Sequence, residues 1–302
     1  MHLQYDAHAM TIVHDGRYAD LTVGEWMTQF HLSSSARYKM LQEGRLLLNN
    51  VPVKHPDTQI HDAQIAILHE EGKEESVSDC IAEVIYEDAF VYAVSKPAGL
   101  IIHSDDPKEE TLARMAAAYQ KQSGILTPVR PLHRLDKDTA GIVLFSKVPF
   151  FQPWYDYQLS VHTIQRRYLA AVKGNLAKGK TLVIDAPLGK DRHRNNRYRV
   201  FPSGKPARTD VECLERQKDL CLLRCTLHTG RTHQIRVHLA SRNLPIVNDP
   251  FYGVSDNRFE NMGLWAYEMV IFDPLEGKKT VIHDHANPDF ARFGCLSQLL
   301  QQ

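Results

Sequence analysis

The sequence predicts a two-domain α+β protein. Three features carry that prediction. A short unit of two helices and a hairpin lies near the N-terminus, an acidic polar stretch without apolar periodicity follows at 70–79, and from Cys80 onward short apolar runs alternate with turn residues and a few helical stretches. The 302-residue length fits one large or two ordinary domains, and 43% apolar with 24% charged residues is a soluble globular composition. No apolar run approaches a membrane span and no leading signal segment is visible, so the expectation is a soluble, non-secreted, cytoplasmic chain. Cys80, Cys213, Cys221, Cys225 and Cys295 are too few and too irregular for a disulfide framework, which fits a reducing compartment.

Residues 1–16 carry little signal beyond a strand beginning at Ile12-Val13. Val23, Trp26, Met27 and Phe30 recur at helical spacing. Ser33-Ser34-Ser35 is a cap cluster before a second helix that Gly44 terminates. Leu46-Leu47-Leu48 then runs into Asn49-Asn50, a turn pair able to take positive φ, and Val51-Pro52-Val53 returns. Arg37, Lys39, Arg45 and Lys54 sit along this unit. The residues EEGKEESVSD read as a linker, giving domains at 17–72 and 80–300.

In the second domain, Ile81–Tyr86 and Phe90–Val94 read as strands about an Asp88 turn, which Lys96-Pro97-Ala98-Gly99 ends. Thr111 caps a helix that stops at Ser123-Gly124, and Trp154–Val161 looks helical. Between them lies the densest polar stretch, His133-Arg134-Leu135-Asp136-Lys137-Asp138, after which Gly141 breaks the polar run and Ile142–Phe145 reads as a buried strand. A polar loop at the lip of a hydrophobic sheet is a common place for an active site, although a surface loop whose Asp and Arg satisfy one another would look the same. Arg166–Val172 reads as a strand of alternating exposure, with further strands at Ala207–Leu214, Leu220–Leu227, Leu264–Phe272 and Lys279–Ile282. Arg192, Arg194, Arg197 and Arg199 surround Asn195-Asn196 in what reads as a ribbon or a solvated loop. Thr232 is placed to cap a helix running to about Arg242, with Arg236 one turn in and facing the same way as His233.

Charge is segregated along a chain whose formal net charge is zero. Ser160–Arg242 holds 18 Lys/Arg against 6 Asp/Glu, while residues 1–75 hold 6 basic against 11 acidic residues. A local excess of this size is the footprint of a polyanion binder. Other chemistries find little support. His228, His233 and His238, spaced by five, fall on different faces of a helix or a strand, and the cysteines lack C-x₂-C pairing, so no metal is expected. No phosphate-cradling P-loop, dinucleotide fingerprint or nucleophile elbow is present. What remains is carboxylate chemistry at Asp136 or Asp138, with arginines suited to a carboxylate that must stay anionic.

These residues carry a resemblance. YEDAFVYAVSKPAGLIIH, PLHRLDKDTAGIVLFSK, RRYLAAVKG, TGRTHQIRVHLASRNLPIVNDPFYG and IFDPLEG occur in order across nearly all of 80–285. Together they resemble the RluA-type pseudouridine synthases, and the pairing of HRLD with a distant GRTHQIRVH is highly specific. Residues 21–70 resemble the small α-L RNA-binding domain that often precedes such enzymes, with Asn50 where glycine is usual. Asn248 and Trp265 depart from the family's usual glycine and histidine.

The resemblance implies the pseudouridine synthase fold, a large mixed and mostly antiparallel sheet, and the conversion of uridines in ribosomal RNA (large-subunit above all) or transfer RNA. It implies no cofactor, an RNA partner and no membrane, with a monomer as the default state. Asp136 matches the catalytic aspartate, Tyr168 the pocket tyrosine and Arg236 the arginine that pairs with the carboxylate. Arg134 matches the arginine that steadies the flipped nucleotide. His133, Arg231 and His233 are candidate substrate contacts, as are Arg192, Arg194 and Arg197 on the basic stretch and Arg37, Lys39 and Arg45 in the leading unit. Two readings compete: a non-catalytic RNA-binding or assembly protein retaining the fold, and a cofactor-free isomerase or glycosidase acting on a small sugar. The basic stretch and the leading unit argue against the latter.

Overall fold

The computed structural model describes residues 1–70, 72, 77–106 and 108–300. The N-terminal unit is a five-stranded antiparallel sheet of β1 (His2–Tyr5), β2 (Ala9–Val13), β3 (Leu46–Leu48), β4 (Val51–Pro52) and β5 (Ile65–Leu68), ordered β1-β2-β5-β3-β4. Residues ahead of Ile12 thus enter the sheet as a hairpin. The helices α1 (Val23–Gln29) and α2 (Ser34–Gln42) precede β3. Thr22 and Glu25 close a capping box on α1, and Ser33 caps α2. Asn49 and Asn50 turn the chain at φ 47° and 65°, the positive values a two-residue hairpin needs. Half of the expected linker at 70–79, residues 71 and 73–76, falls outside the described residues.

The remainder builds a ten-stranded sheet. Its strands are β6 (Val84–Glu87), β7 (Val91–Lys96), β8 (Arg130–Pro131), β9 (Ala140–Ser146), β10 (Gln165–Lys173), β11 (Thr181–Asp185), β14 (Arg208–Gln217), β15 (Leu220–Leu227), β16 (Leu264–Phe272) and β17 (Lys279–His283). A separate ribbon pairs β12 (Leu188–Lys190) with β13 (Tyr198–Val200), so the basic stretch forms the ribbon's turn. The helices are α3 (Leu112–Ser123), α4 (Gln152–Ser160), α5 (Gln234–Ala240) and α6 (Leu296–Leu299). The long path runs β11-β14-β15-β10-β16-β9-β7-β6, with β17 beside β16 and β8 beside β9. Every pairing is antiparallel except β9 with β16. Strand β10 is buried from Tyr168 to Val172 rather than alternating, because it lies between β15 and β16 and is covered on both faces.

The one parallel seam explains Gly141. Its φ is +119°, and a Cβ there would lie 2.3 Å from the Ala266 carbonyl oxygen and 2.7 Å from its nitrogen. Only glycine lets β9 leave the polar loop and run against β16 at this register, Ala140 to Trp265 and Gly141 to Ala266.

The two units share one core. Trp26 stacks on Phe150 at 5.2 Å and 23°, and Phe30 meets Phe151 edge-on at 5.0 Å. The Lys147 ammonium sits 4.5 Å above the Tyr5 ring. Among the described residues no helix is long and apolar enough to cross a membrane.

Gly141→Ala is expected to cost roughly 3 kcal/mol or more, through a backbone clash and a disallowed φ together. Urea unfolding of the purified variant measures it. A loss below about 1 kcal/mol would contradict the seam as the reason for glycine.

Candidate active site

The loop between β8 and β9 delivers HRLD to the cleft in an in-and-out alternation. Leu135 is buried in the core and Arg134 is exposed. The His133 ring turns inward, where its Nε2 accepts the Leu144 amide at 3.2 Å. His133, expected to touch substrate, therefore ties the loop to β9. Behind it, the fully buried Lys96 ammonium donates to three carbonyls, Pro97 at 2.9 Å, Leu100 at 2.7 Å and Lys137 at 2.8 Å. It knots the Lys96–Leu100 turn to the HRLDK loop. Burial lowers its pKa to about 8 against the opposing charges of Asp138 and Asp136. The sequence pattern at Lys96-Pro97 signalled only a strand end, so this anchor was missed.

Asp136 faces Arg236, whose Nη1 donates to Asp136 Oδ2 at 3.0 Å. The guanidinium is 2% exposed and is held from the other side by Asp249, with Nε to Oδ2 at 2.7 Å and Nη2 to Oδ1 at 2.8 Å. Burial alone would lower the Arg236 pKa; the bonds and charges of Asp249 and then Asp136 raise it instead. Burial likewise pushes Asp249 upward, but Arg236 and the amides of Phe251 and Tyr252 hold it below the usual carboxylate range. Asp249 lay within a quoted motif, yet nothing in the local pattern distinguished it from a turn aspartate.

Helix α5, which carries Arg236, does not start as expected. Thr232 makes no cap; the N-cap is His233 in the left-handed region at φ 56°, without a side-chain capping bond. Gln234 instead ties down the loop that leads into the helix. Its Oε1 accepts the Arg231 amide at 3.0 Å and the Thr229 hydroxyl at 2.6 Å, and its Nε2 donates to the Arg208 carbonyl at 2.9 Å. The left-handed turn aims His233 at the site, with Nε2 3.8 Å from Asp136 Oδ2 and Nδ1 2.9 Å from the Tyr252 hydroxyl. Burial pushes the His233 pKa down against the pull of Asp136, so the ring is neutral at pH 7. His228 and His238 turn elsewhere, to Asp210 and to Thr209 with Ala186.

Tyr168 completes the cavity. The β10–β16 register slips between Arg167 and Leu169, and this bulge sets the tyrosine apart from the ladder. One cavity of about 250 Å³ is lined by Asp136, Arg236, His233, Arg134, Arg166 and Arg231 at its polar rim, and by Tyr168, Leu227, Ile235 and Leu264 on its apolar side. Burial raises the Tyr168 pKa, so the phenol is neutral at pH 7. An open groove continues past Ile101, Ile102 and Phe251. Such a cavity suits a flat ring with one polar edge next to an anionic carboxylate.

The other expected contacts are not gathered here. Arg37 donates to the Gly24 carbonyl and to the Thr28 and Ser34 hydroxyls. Lys39 pairs with Glu43 at 3.6 Å and Arg45 with Glu43 at 2.7 Å, both also reaching Glu70. None of the three lines the cavity, and Lys39 and Arg45 are ion-paired while Arg37 meets only neutral acceptors. Arg192 and Arg194 are exposed on the ribbon turn. Arg197 lies 5.4 Å above the Phe251 ring, the same ring that Arg236 faces at 5.4 Å. Tyr252 closes the link, its hydroxyl accepting the Tyr198 amide at 2.7 Å. Phe251 and Tyr252 thus couple the basic ribbon to the buried arginine, a role sequence spacing could not reveal.

A cleft of this kind, in a large mixed sheet with a basic rim, has the chemistry to receive a nucleic-acid base. Residues 91–241 match the family described as RNA pseudouridylate synthase. The chain is 35% identical over 236 residues, covering 76% of it and 75% of the relative, to an uncharacterized RNA pseudouridine synthase of Bacillus subtilis (strain 168). It is 34% identical to the ribosomal large subunit pseudouridine synthase D of Xanthomonas campestris pv. campestris, over 79% of this chain and 72% of that one. The enzyme of that name from Nitrosomonas europaea is 40% identical over 65% of this chain and 59% of its own. The solved human RNA pseudouridylate synthase domain containing 1 shares the fold, with a TM-score of 0.60 and 21% identity over 75% of this chain and 96% of its own. The chain belongs to the RluA-type RNA pseudouridine synthase family, and its activity is that of an RNA-modifying isomerase.

The His133 pKa is pushed from 6.5 down to about 3, by burial first and by the Arg166 charge second. An unfolded chain takes up a proton at this ring near pH 6.5 that the folded protein refuses until about pH 3, so stability falls as pH drops through that window. This ring alone contributes a slope of about 1.4 kcal/mol per pH unit. His133→Gln, whatever its absolute stability, is expected to lose stability less steeply with acid. Urea unfolding at a series of pH values reads the two slopes; equal slopes would contradict the assignment.

Proposed function

We propose that this chain converts uridine to pseudouridine in large-subunit ribosomal RNA, with Asp136 as the catalytic carboxylate. The observation that carries the proposal is the single cavity in which Asp136 meets Arg236 at 3.0 Å beside Tyr168. The relatives named for the large ribosomal subunit support the choice of RNA.

A uridine within a structured RNA hides its glycosidic bond, so the nucleotide must be extruded into the cavity at a cost of a few kcal/mol. Cationic contacts to phosphates offset that cost. Arg134, exposed at the rim, fits a contact that keeps the flipped nucleotide out of its helix. The Asp136 carboxylate then acts at C1′ of the ribose, either by adding to it or by assisting elimination. The N1–C1′ bond breaks with its electron pair going to the uracil, and the base turns within the apolar part of the cavity. A new C5–C1′ bond forms, displacing the Asp136 carboxylate if it has added or, after elimination, with return to C2′ of the proton taken from it; the C5 proton leaves and N1 gains one, so the reaction is an isomerisation with no co-reactant. The Tyr168 ring offers the uracil a flat face, and as a neutral phenol it takes the C5 proton only by passing on its own. Arg236, clamped by Asp249, supplies a permanent charge that does not have to reorganise as the carboxylate reacts.

Wild type and Asp136→Asn are to be incubated with large-subunit ribosomal RNA and with transfer RNA carrying tritium at uridine C5, both prepared from a strain lacking the gene. Release by the wild type from ribosomal RNA is expected, with a loss of at least about a thousandfold in Asp136→Asn and retained RNA binding. Release from transfer RNA alone would move the target. Binding by both proteins with release by neither would replace the enzyme with a non-catalytic RNA-binding protein.

A further inference from the structure

A second cavity, of about 490 Å³, adjoins the catalytic one, and His133, Arg166, Gly230 and Arg231 form the wall between them. Arg167, the neighbour of Arg166 on β10, holds Glu268, and Arg224 on β15 holds Glu212. Among the described residues Arg166 and Arg231 form no ion pair. The Nε of Arg166 is buried without a hydrogen-bond acceptor. Its Nη atoms lie over Gly230, 3.2 and 3.3 Å from where a Cβ would stand, so a larger residue would crowd them. The Arg231 Nε is fixed on the Pro206 carbonyl at 3.0 Å, while its Nη groups have no acceptor among the described residues.

On the second cavity's side of the wall, little supplies the missing charge. Asp156 is the one carboxylate on the second cavity's lining among the described residues, and burial pushes its pKa up. His162, on the same lining, is held neutral at pH 7 by burial and then by Arg166, His228 and Arg231. Two guanidinium groups on one wall, one with a buried unpaired donor, are unfavourable until an anion arrives. The planar fork of arginine matches the oxygens of a phosphodiester.

We propose that Arg166 and Arg231, with Gly230 between them, form an RNA-phosphate subsite for the backbone linkage next to the extruded uridine. This rests on the Asp136 cavity being the uridine site, because the shared wall is what puts the phosphate beside it. Lys39 and Arg45 of the N-terminal unit are ion-paired with Glu43 and Glu70, whereas this wall offers positive charge that no carboxylate pairs with among the described residues.

The test uses the full chain and large-subunit ribosomal RNA transcribed in vitro. Binding is measured against salt in the Asp136→Asn background, and KM and kcat for tritium release in the active one, for Arg166→Gln, Arg231→Gln, the double variant and Arg166→Lys. Each Gln variant is expected to lower the slope of log affinity against log salt by about 0.7–0.9, one phosphate contact. The double variant is expected to raise KM about tenfold with kcat within about threefold, and Arg166→Lys to keep most of the slope. Unchanged slopes and KM, a loss confined to kcat, or equal loss in the Lys and Gln variants would each overturn the subsite. Arg231→Gln, at an exposed position, keeps the test valid if Arg166→Gln does not fold. Absence of release by the wild type on every RNA would fell the uridine reading and the subsite with it, whereas wild-type release with unaffected variants fells the subsite alone.

Discussion

The buried guanidinium of Arg236 governs the site. A charge this deeply removed from water is tolerated only if it is paired on more than one side. Asp249 supplies a bidentate partner that is itself fully buried and held by two backbone amides. With Nε and Nη2 engaged, Nη1 is left to Asp136, the one carboxylate of the trio that reaches the cavity. The protein thus uses one carboxylate to fix an arginine and that arginine to fix another. Much of the local architecture serves this geometry: the left-handed His233, the Gln234 side chain that ties the preceding loop to β14, and the Phe251–Tyr252 pair that packs against the guanidinium.

The loop bearing Asp136 is correspondingly stiff. Lys96 binds its backbone from one side, His133 binds β9 from the other, and Thr139 turns back onto the Asp136 carbonyl at 3.1 Å. Gly141 then lets the chain pass Ala266 with no room for a side chain. A carboxylate held this way loses little entropy on meeting a nucleotide, which is the physical meaning of a preorganised site.

Much of this was legible in residue patterns. The capping residues Ser33 and Thr111, the Asn49-Asn50 turn and the buried run after Gly141 are local signals, set by backbone chemistry within a few residues, and the structure follows them. HRLD and GRTHQIRVH pointed to the cavity because the motifs themselves are specific. The misreadings arose where tertiary context decides. Thr232 had the right chemistry for a cap, but the left-handed turn at His233 moves the helix start one residue beyond it. Strand β10 was read as half-exposed because periodicity cannot report which sheet position a strand takes. Lys96, Asp249 and the Phe251–Tyr252 pair act through partners distant in sequence. Charge counting likewise cannot see that Glu43 and Glu70 lie beside Lys39 and Arg45.

The central claim is that Asp249, Arg236 and Asp136 act as one unit. Single-turnover rates of Asp249→Asn, Arg236→Lys and the double variant, on RNA that each still binds, test it most directly. Each single variant is expected to slow the reaction about a hundredfold or more, and the double variant to fall within about threefold of the slower single. Losses that multiply in the double variant would show that Asp249 and Arg236 contribute independently, and would contradict the account.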